Sequence, residues 1–215
     1  NKQFGLLSSG AVAICGASAA LAISAVLPND KTKERDTAFV VVGVTTLSTL
    51  VMIIYPILST SIGLSDTAAG VFIGATIHDV AQVVGAGYSV SETTGDVATV
   101  TKLIRVSLLL PVVLIVGLVY RKSKLEMQEK PPLLPGFLVV FLVFSCANSF
   151  IDLPELLLSS ANVMSQYCLI AAIAAVGLKS NLKSLVAVGW RPVALMSLET
   201  IWLAGLTLAG LSMLD

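Results

Sequence analysis

The sequence is short of charge. Only 12% of its 215 residues are charged, about half the share that soluble domains usually carry. The net charge is zero, so nothing indicates a nucleic-acid partner. The mean hydropathy of +0.93 points instead to an integral membrane protein, with the lipid bilayer as its surroundings.

Residue types and motifs that carry enzyme chemistry are equally scarce. The single histidine excludes a metal site with several histidine ligands. The three cysteines are odd in number and widely spaced, so they provide neither a metal motif nor a complete set of disulfides. There is no phosphate-binding loop and no Gly-x-Ser-x-Gly motif. We therefore expect no enzyme activity, no metal and no cofactor.

The sequence does contain seven apolar stretches, each close to the length of a helix that crosses about 30 Å of lipid. They are apolar on every side and lack the period-two alternation of strands in a membrane barrel. The sequence predicts an all-α membrane protein, a polytopic helical bundle with one transmembrane domain over residues 1–215. The stretches, named A to G, are 4–27, 38–55, 68–86, 97–120, 133–149, 156–178 and 192–214.

The charges between the stretches predict how the chain is threaded. Lysine and arginine gather in the connections 28–36, 121–130 and 179–191, and none occurs in the other three connections. Basic loops stay on the cytoplasmic side, but three full crossings by B, C and D would separate the first two. We expect C to enter from outside and return, as a broken or re-entrant segment. The alternative is that C spans the membrane and that 28–36, with three bases against three acids, lies outside.

Stretch C also holds the residues with the clearest chemistry. His78 and Asp79 interrupt its apolar run, and Gln82 follows His78 by one helical turn. A charge in the bilayer core costs about 2.5–3.5 kcal/mol on insertion scales. We predict that these residues line an ion or substrate site, with His78 and Asp79 coupling transport to protons. The alternative is a wet loop near the outer surface.

Stretch A echoes C in outline. Gly-Ala opens both polar patches, and Cys15, Gly16 and Ser18 mark a corresponding bend. If A also re-enters, it does so from the cytoplasmic side, and the two bends point at each other. A helix that begins at such a bend offers free N–H groups to an anion. Packing of small residues between helices explains the pattern equally well.

Two basic residues open stretch D. Lys102 and Arg105 are three residues apart, on one face of a helix. In this topology they lie at the outer end, where they either reach to the membrane surface or face a cavity and attract anions. We count both as candidate binding residues.

Four stretches carry a family resemblance: Ile14–Ala19, Gly74–Gln82, Thr101–Val106 with Pro111 following, and Gly177–Lys179 through Gly189–Pro192. Together they resemble the YeiH-type family of bacterial inner-membrane proteins, described as sulfate exporters. The members are longer, with further membrane segments before the position of Asn1, so we expect this chain to lack an N-terminal part. The resemblance implies an inverted-repeat secondary transporter architecture.

These observations predict a multi-pass secondary transporter in a bacterial inner membrane. Its expected substrate is a small anion, either sulfate or a related sulfur oxyanion or sulfonate, with protons as the candidate coupling ion. Two alternatives stay open: a cation–proton antiporter-like transporter, and a membrane receptor or structural subunit that transports nothing. A homo-oligomer is compatible with the sequence.

Overall fold

The computed structural model describes residues 2–28, 32–121 and 190–213, with a few separate positions between 143 and 171. Within these ranges the chain is helical and contains no strand. The helices are α1 (Lys2–Ala13), α2 (Ala17–Val26), α3 (Lys33–Ser61), α4 (Asp66–Thr76), α5 (Val80–Tyr88), α6 (Glu92–Ser107), α7 (Leu109–Arg121) and α8 (Trp190–Leu211). The predicted segments 133–149 and 156–178 lie almost wholly outside the described residues.

Three helical stretches are long and apolar enough to cross a membrane: α3, the α6–α7 pair and α8. The 29 residues of α3 extend about 44 Å at 1.5 Å per residue, which exceeds the hydrocarbon thickness. The α6–α7 pair is interrupted at Leu108. Pro111 explains the interruption, because it has no N–H for the Ser107 carbonyl and its ring crowds that carbonyl. The described chain is therefore an all-α membrane protein.

The predicted end of stretch B at Pro56 is not where the helix ends. α3 passes through Pro56 and continues to Ser61. The Ser59 and Thr60 hydroxyls both donate to the Pro56 carbonyl, at 2.9 and 3.1 Å. Proline is tolerated inside membrane helices where nearby hydroxyls and neighbouring helices satisfy the backbone. The extension lengthens α3 beyond the predicted 38–55 at both ends.

Helices α4 and α5 form a hairpin, which we call the central hairpin, with its tip at residues 77–79. Both helices pack on α6. The Thr94 hydroxyl donates to the Asp66 carbonyl at 3.0 Å, and the Tyr88 hydroxyl donates to Asp96 at 2.6 Å. The first residue of α4 and the last of α5 therefore lie beside the same end of α6. Residues 66–88 therefore run along α6 to the tip of the hairpin and return to the same end of α6.

Helices α1 and α2 form a second hairpin, the N-terminal hairpin, with its tip at residues 14–16. A Cβ built on Gly10 would overlap the Ile23 side chain, although a continuous helix would separate these residues by about 20 Å. Its open end lies near the start of α3, where Ser24 and Thr37 share a 2.8 Å hydrogen bond. That is the opposite end of α3 from Asp66, so the two hairpins enter from opposite sides.

Each hairpin has its own apolar core. The N-terminal hairpin packs through Leu7, Ile23 and Leu27 against α3 and α7, in one cluster of buried residues. The central hairpin packs through Phe72 and Ile77 in a second cluster that includes part of α8. The polar residues of the two tips lie between these clusters, at about half the length of the long helices.

We predict that the central hairpin can be recognised by labelling cysteines from one side of the membrane. Thr67 and Ser89 are exposed at its open end, whereas Glu34 is exposed at the opposite end of α3. In a variant without native cysteines, Thr67→Cys and Ser89→Cys should react with an impermeant maleimide added outside intact cells. Glu34→Cys should react only after permeabilisation. Labelling of Thr67→Cys and Ser89→Cys from opposite sides would show that residues 66–88 span the membrane.

Candidate functional site

The tips of the two hairpins meet. Gly16 has φ +66°, a backbone conformation that glycine adopts without strain. A Cβ at this position would lie 3.6 Å from both Cβ and the carbonyl oxygen of His78. The structure thus brings together Gly16 and His78, two of the residues that the sequence singled out.

His78 is completely buried and bonds to two other helices. Its Nδ1 lies 3.2 Å from the Val12 carbonyl oxygen, and its Nε2 lies 3.0 Å from Thr200 Oγ1 on α8. A carbonyl only accepts, so Nδ1 carries a hydrogen. The side chain therefore ties the central hairpin to both α1 and α8.

The hydroxyl of Thr200 lets this arrangement accept either protonation state of His78. Thr200 Oγ1 also lies 2.8 Å from the Met196 carbonyl oxygen. When the hydroxyl hydrogen points to Nε2, the neutral ring is satisfied. When it points to Met196, Nε2 donates to Thr200 and the ring is the cation. A proton can thus enter or leave the ring without breaking the contact between the hairpin and α8.

Lys102 bridges the two tips. Its side chain is completely buried, and Nζ donates to the Ile14 carbonyl at 2.8 Å and to the Ile77 carbonyl at 2.9 Å. Both carbonyls come directly after the last residue of a helix, α1 and α4. The C-terminal carbonyls of a helix lack partners within it and carry partial negative charge. The Lys102 ammonium satisfies both helix ends at once.

Arg105 does the same from the next turn of α6. Its Nη2 donates to the Ala13 carbonyl at 2.7 Å and to the Val12 carbonyl at 3.0 Å. Its Nη1 donates to the Gly74 carbonyl at 3.2 Å. The planar guanidinium, with five N–H donors, suits a cluster of carbonyls. Two half-helices that end inside the membrane are thereby capped by two cations.

The expected position of Lys102 and Arg105 at the outer end of stretch D is wrong. α6 starts at Glu92 rather than near residue 97, so both residues lie in the middle of the α6–α7 span. Ser91 caps the helix, accepting from Thr94 N–H at 3.1 Å. Ser91, followed by Glu92, is a recognisable helix start. A boundary drawn from hydropathy alone misses it.

Asp79 caps the second half of the central hairpin. Its Oδ1 accepts from Ala81 N–H at 2.9 Å and from Gln82 N–H at 3.4 Å. Its own N–H donates to Ser48 Oγ on α3 at 3.2 Å. An aspartate at this position stabilises a helix through these bonds and through the helix dipole. Asp79 is half-buried, and its established contact is with the backbone of α5.

Gln82 lies against α3 and is incompletely satisfied. Its Nε2 donates to Thr49 Oγ1 at 3.2 Å, whereas its Oε1 is buried with no hydrogen-bond partner among the described residues. A buried oxygen without a donor is costly unless a ligand or water supplies one. The sequence had placed Gln82 and His78 on one face; the structure bonds them to different helices, α3 and α8.

Cys15 and Ser18 shape the tip of the N-terminal hairpin. Cys15 is buried, and the exposed Ser18 donates from Oγ to the Cys15 carbonyl at 3.0 Å, with Cys15 Sγ at 2.9 Å. The N-cap of α2 is Gly16, which has no side chain to accept from the first turn. The N-terminus of α2 is thus a place where an anion can be held by backbone donors.

Sequence reasoning missed three hydroxyl residues that complete the tips. Thr200, Ser48 and Thr49 hold His78, the Asp79 backbone and Gln82 respectively. Each lies within an apolar stretch, where a single Ser or Thr is ordinary and usually bonds its own helix. Only the packing of α3 and α8 around the central hairpin distinguishes them.

Comparison with known proteins identifies the family. The family model described as conserved hypothetical protein 698 matches residues 1–196. The chain belongs to this family. The resemblance recognised from its motifs is confirmed at the level of the family.

Several curated relatives are similar along nearly the whole chain. A UPF0324 membrane protein of Chlorobaculum tepidum is 54% identical over 209 residues, which are 96% of this chain and 58% of that protein. One of Rhizobium meliloti is 50% identical over 212 residues, or 97% of this chain and 61% of that protein. The UPF0324 membrane protein TauZ of Paracoccus denitrificans is 48% identical over 215 residues, or 99% and 64%.

The chain thus spans less than two thirds of the length of these relatives. All three are membrane proteins of bacteria, in agreement with the membrane-spanning helices and with the predicted inner-membrane location. No solved structure matches the chain.

Proposed function

We propose that this chain forms part of a secondary transporter that moves a small anion by alternating access. The observation that carries the proposal is the meeting of two half-spanning hairpins, from opposite sides, at half the length of α3 and α8. Secondary transporters build their sites from interrupted helices near the membrane midplane. Each tip is exposed to one side when its hairpin moves away from the other.

The chemistry of the tips supports transport over a purely structural role. Irregular backbone inside a membrane is tolerated only where protein covers it or water reaches it. A stable structural subunit has no need of two helix ends, two cations, a histidine and an aspartate in one layer. The coupling proton is assigned to His78, whose hydrogen bonds can form in either protonation state.

An anion is favoured because the charges around the tips are more basic than acidic. Lys102 and Arg105 outnumber the carboxylate of Asp79, which faces the start of α5. The donors of both cations already serve backbone carbonyls. The anion is therefore best held at the start of α2, beside Gly16 and Ser18, with the cations contributing their field. Sulfate, a related sulfur oxyanion or a sulfonate is the class that the family resemblance suggests.

Sulfate flux tests this proposal. The full-length protein is reconstituted in liposomes, and labelled sulfate uptake is measured with and without a pH gradient. We expect uptake above protein-free liposomes, accelerated by the gradient, and loss of that acceleration in His78→Ala. Sodium-dependent proton movement without anion flux would replace the proposal with cation–proton exchange. No flux of any kind, with ligand-induced thermal stabilisation, would favour a receptor.

Asp79 allows capping to be separated from proton coupling. Asp79→Ala removes the side chain that caps α5 and should lower the unfolding free energy by about 1 kcal/mol. Asp79→Asn keeps an oxygen acceptor and should melt within 1 to 2 °C, roughly, of the wild type. If Asp79 takes part in coupling, Asp79→Asn nevertheless loses the response of flux to the pH gradient. If the Asp79→Asn variant is stable and its flux still responds to the pH gradient, Asp79 caps α5 and takes no part in proton coupling.

A further inference from the structure

A second acid lies in the membrane beside the hairpin tips. Glu199 is nine residues into α8, about 13 Å from the start of that helix. It is adjacent to Thr200, the residue that contacts His78. It belongs to none of the hydrogen bonds that hold the two tips together. A charge at this depth is expensive, so its surroundings indicate which form it takes.

The hydrogen bond between Ser8 and Glu199 can form in either protonation state of the acid. Ser8 Oγ on α1 lies 2.9 Å from Glu199 Oε1 and 3.1 Å from the Gly5 carbonyl oxygen. The hydroxyl has one hydrogen for these two acceptors. A protonated Glu199 donates from Oε1 to Ser8, and Ser8 then donates to Gly5. With a carboxylate, Ser8 donates to Oε1, and the Gly5 carbonyl keeps the helical N–H of Ser9 within α1.

The other oxygen of Glu199 favours the neutral acid. Oε2 is buried and has no hydrogen-bond partner among the described residues. An ionised carboxylate shares its charge between both oxygens, so burial of an unpartnered Oε2 would carry the cost of a desolvated charge. In the neutral acid Oε2 is an ordinary carbonyl oxygen, and the cost falls to that of one unpaired polar group.

Among the described residues, α1, α3 and α4 pack against α8, and they offer Glu199 no cation. α1 carries one charge, Lys2, which lies six residues before Ser8 at the open end of the N-terminal hairpin. α3 has charges only within its first turn, and its next ionisable side chain is Tyr55. α4 has Asp66 alone, at its far end. Lys102 and Arg105 donate to the backbone of the tips.

We propose that Glu199 is a proton-binding site that is occupied in this conformation and that closes the N-terminal hairpin against α8 through Ser8. The proton leaves to water when α1 separates from α8 and the resulting carboxylate is hydrated. It returns before the hairpin closes again. Glu199 precedes Thr200 on α8, and Thr200 contacts His78, so a movement of this part of α8 that follows the loss of the proton reaches both hairpins. This coupling role rests on the proposed transport function; the neutral state of Glu199 does not.

Infrared spectroscopy of the full-length protein tests the protonated state directly. We expect the carbonyl stretch of a neutral carboxylic acid to persist at pH 7.5 in the wild type and to be lost in Glu199→Gln. Glu34→Gln, at an exposed glutamate in the first turn of α3, is the matched control and should leave the band unchanged. Ser8→Ala should shift the band, because the neutral acid loses its acceptor. A wild-type spectrum without this band at pH 7.5, or one unchanged in Glu199→Gln, would overturn the assignment.

Flux separates this inference from the proposed function. In proteoliposomes, Glu199→Gln should abolish the acceleration of sulfate uptake by a pH gradient, while Glu34→Gln keeps it. If the band is present but the wild type moves no sulfate, the proton site stands and anion transport fails. If sulfate moves with the gradient and Glu199→Gln behaves like the wild type, transport stands and the coupling role of Glu199 is refuted.

Discussion

Replacement of Lys102 by methionine should destabilise the protein more than any other single change at the tips. Methionine has a similar length and apolar stem, so packing is largely kept while both donors are lost. The Ile14 carbonyl then loses the Lys102 donor, and the Ile77 carbonyl keeps only the 3.4 Å bond from Arg105 Nη1. A buried carbonyl without a donor costs about 1–3 kcal/mol, so the Ile14 carbonyl alone predicts a loss of about 1–3 kcal/mol, to which the weakened Ile77 contact adds. Against a typical total stability of about 5–15 kcal/mol, this is a large fraction.

Thermal unfolding in detergent measures this effect, with size-exclusion chromatography as a check on folding. The matched control is Lys2→Met, which removes an exposed lysine from the first residue of α1 and should melt like the wild type. A Lys102→Met protein with the wild-type melting temperature would mean that Lys102 does not hold the two half-helix ends together. Lys102 would then be available to bind substrate.

The contact between α4 and α6 should be broken by a single methyl group. A Cβ on Gly74 would overlap the Ala98 carbonyl oxygen and lie 2.8 Å from Thr101 Cβ. The Ala98 atoms belong to the backbone, so the two helices must separate to make room. Overpacking of this kind costs about 1–3 kcal/mol, and the better helix propensity of alanine recovers at most about 1 kcal/mol. Gly74→Ala should therefore be destabilising.

The same substitution on α8 supplies the control. Gly205 has nothing within 4 Å of the position of its missing Cβ among the described residues. Gly205→Ala should gain the helix propensity without the clash and stabilise the protein by up to about 1 kcal/mol. The two variants should thus shift the melting temperature in opposite directions. A stabilising Gly74→Ala would show that the central hairpin is not closely packed on α6.

Hydropathy and charge determined the class of the molecule because both act locally along the chain. A run of apolar residues must be helical in lipid, where no water satisfies the backbone. The basic connections 28–36 and 121–130 indicated that the stretch between α3 and α6 does not simply cross. The capping role of Asp79 can also be predicted locally, because an aspartate favours the N-cap of a helix and α5 begins directly after it.

Boundaries were less well determined. Pro56 looked like a stop, but α3 continues through it to Ser61, as membrane helices can where the surroundings satisfy the freed backbone carbonyl. The start of α6 is polar, so a hydropathy boundary placed it five residues late and moved Lys102 and Arg105 from the middle of the membrane to its edge. The first boundary was predicted from a proline and the second from local hydropathy. Neither signal includes the helix capping and packing that set the observed boundaries.

The sequence by itself determined that this protein is an all-α membrane protein of a recognisable family, with polar interruptions at Cys15–Ser18 and His78–Asp79. Only the tertiary structure decided what those interruptions do. Lys102 meets a carbonyl 88 residues away, and His78 meets a hydroxyl 122 residues away. Such partners depend on how hairpins and long helices pack, which no local pattern records. Physically, the helix ends left open inside the membrane must find donors, and folding supplied them from α6.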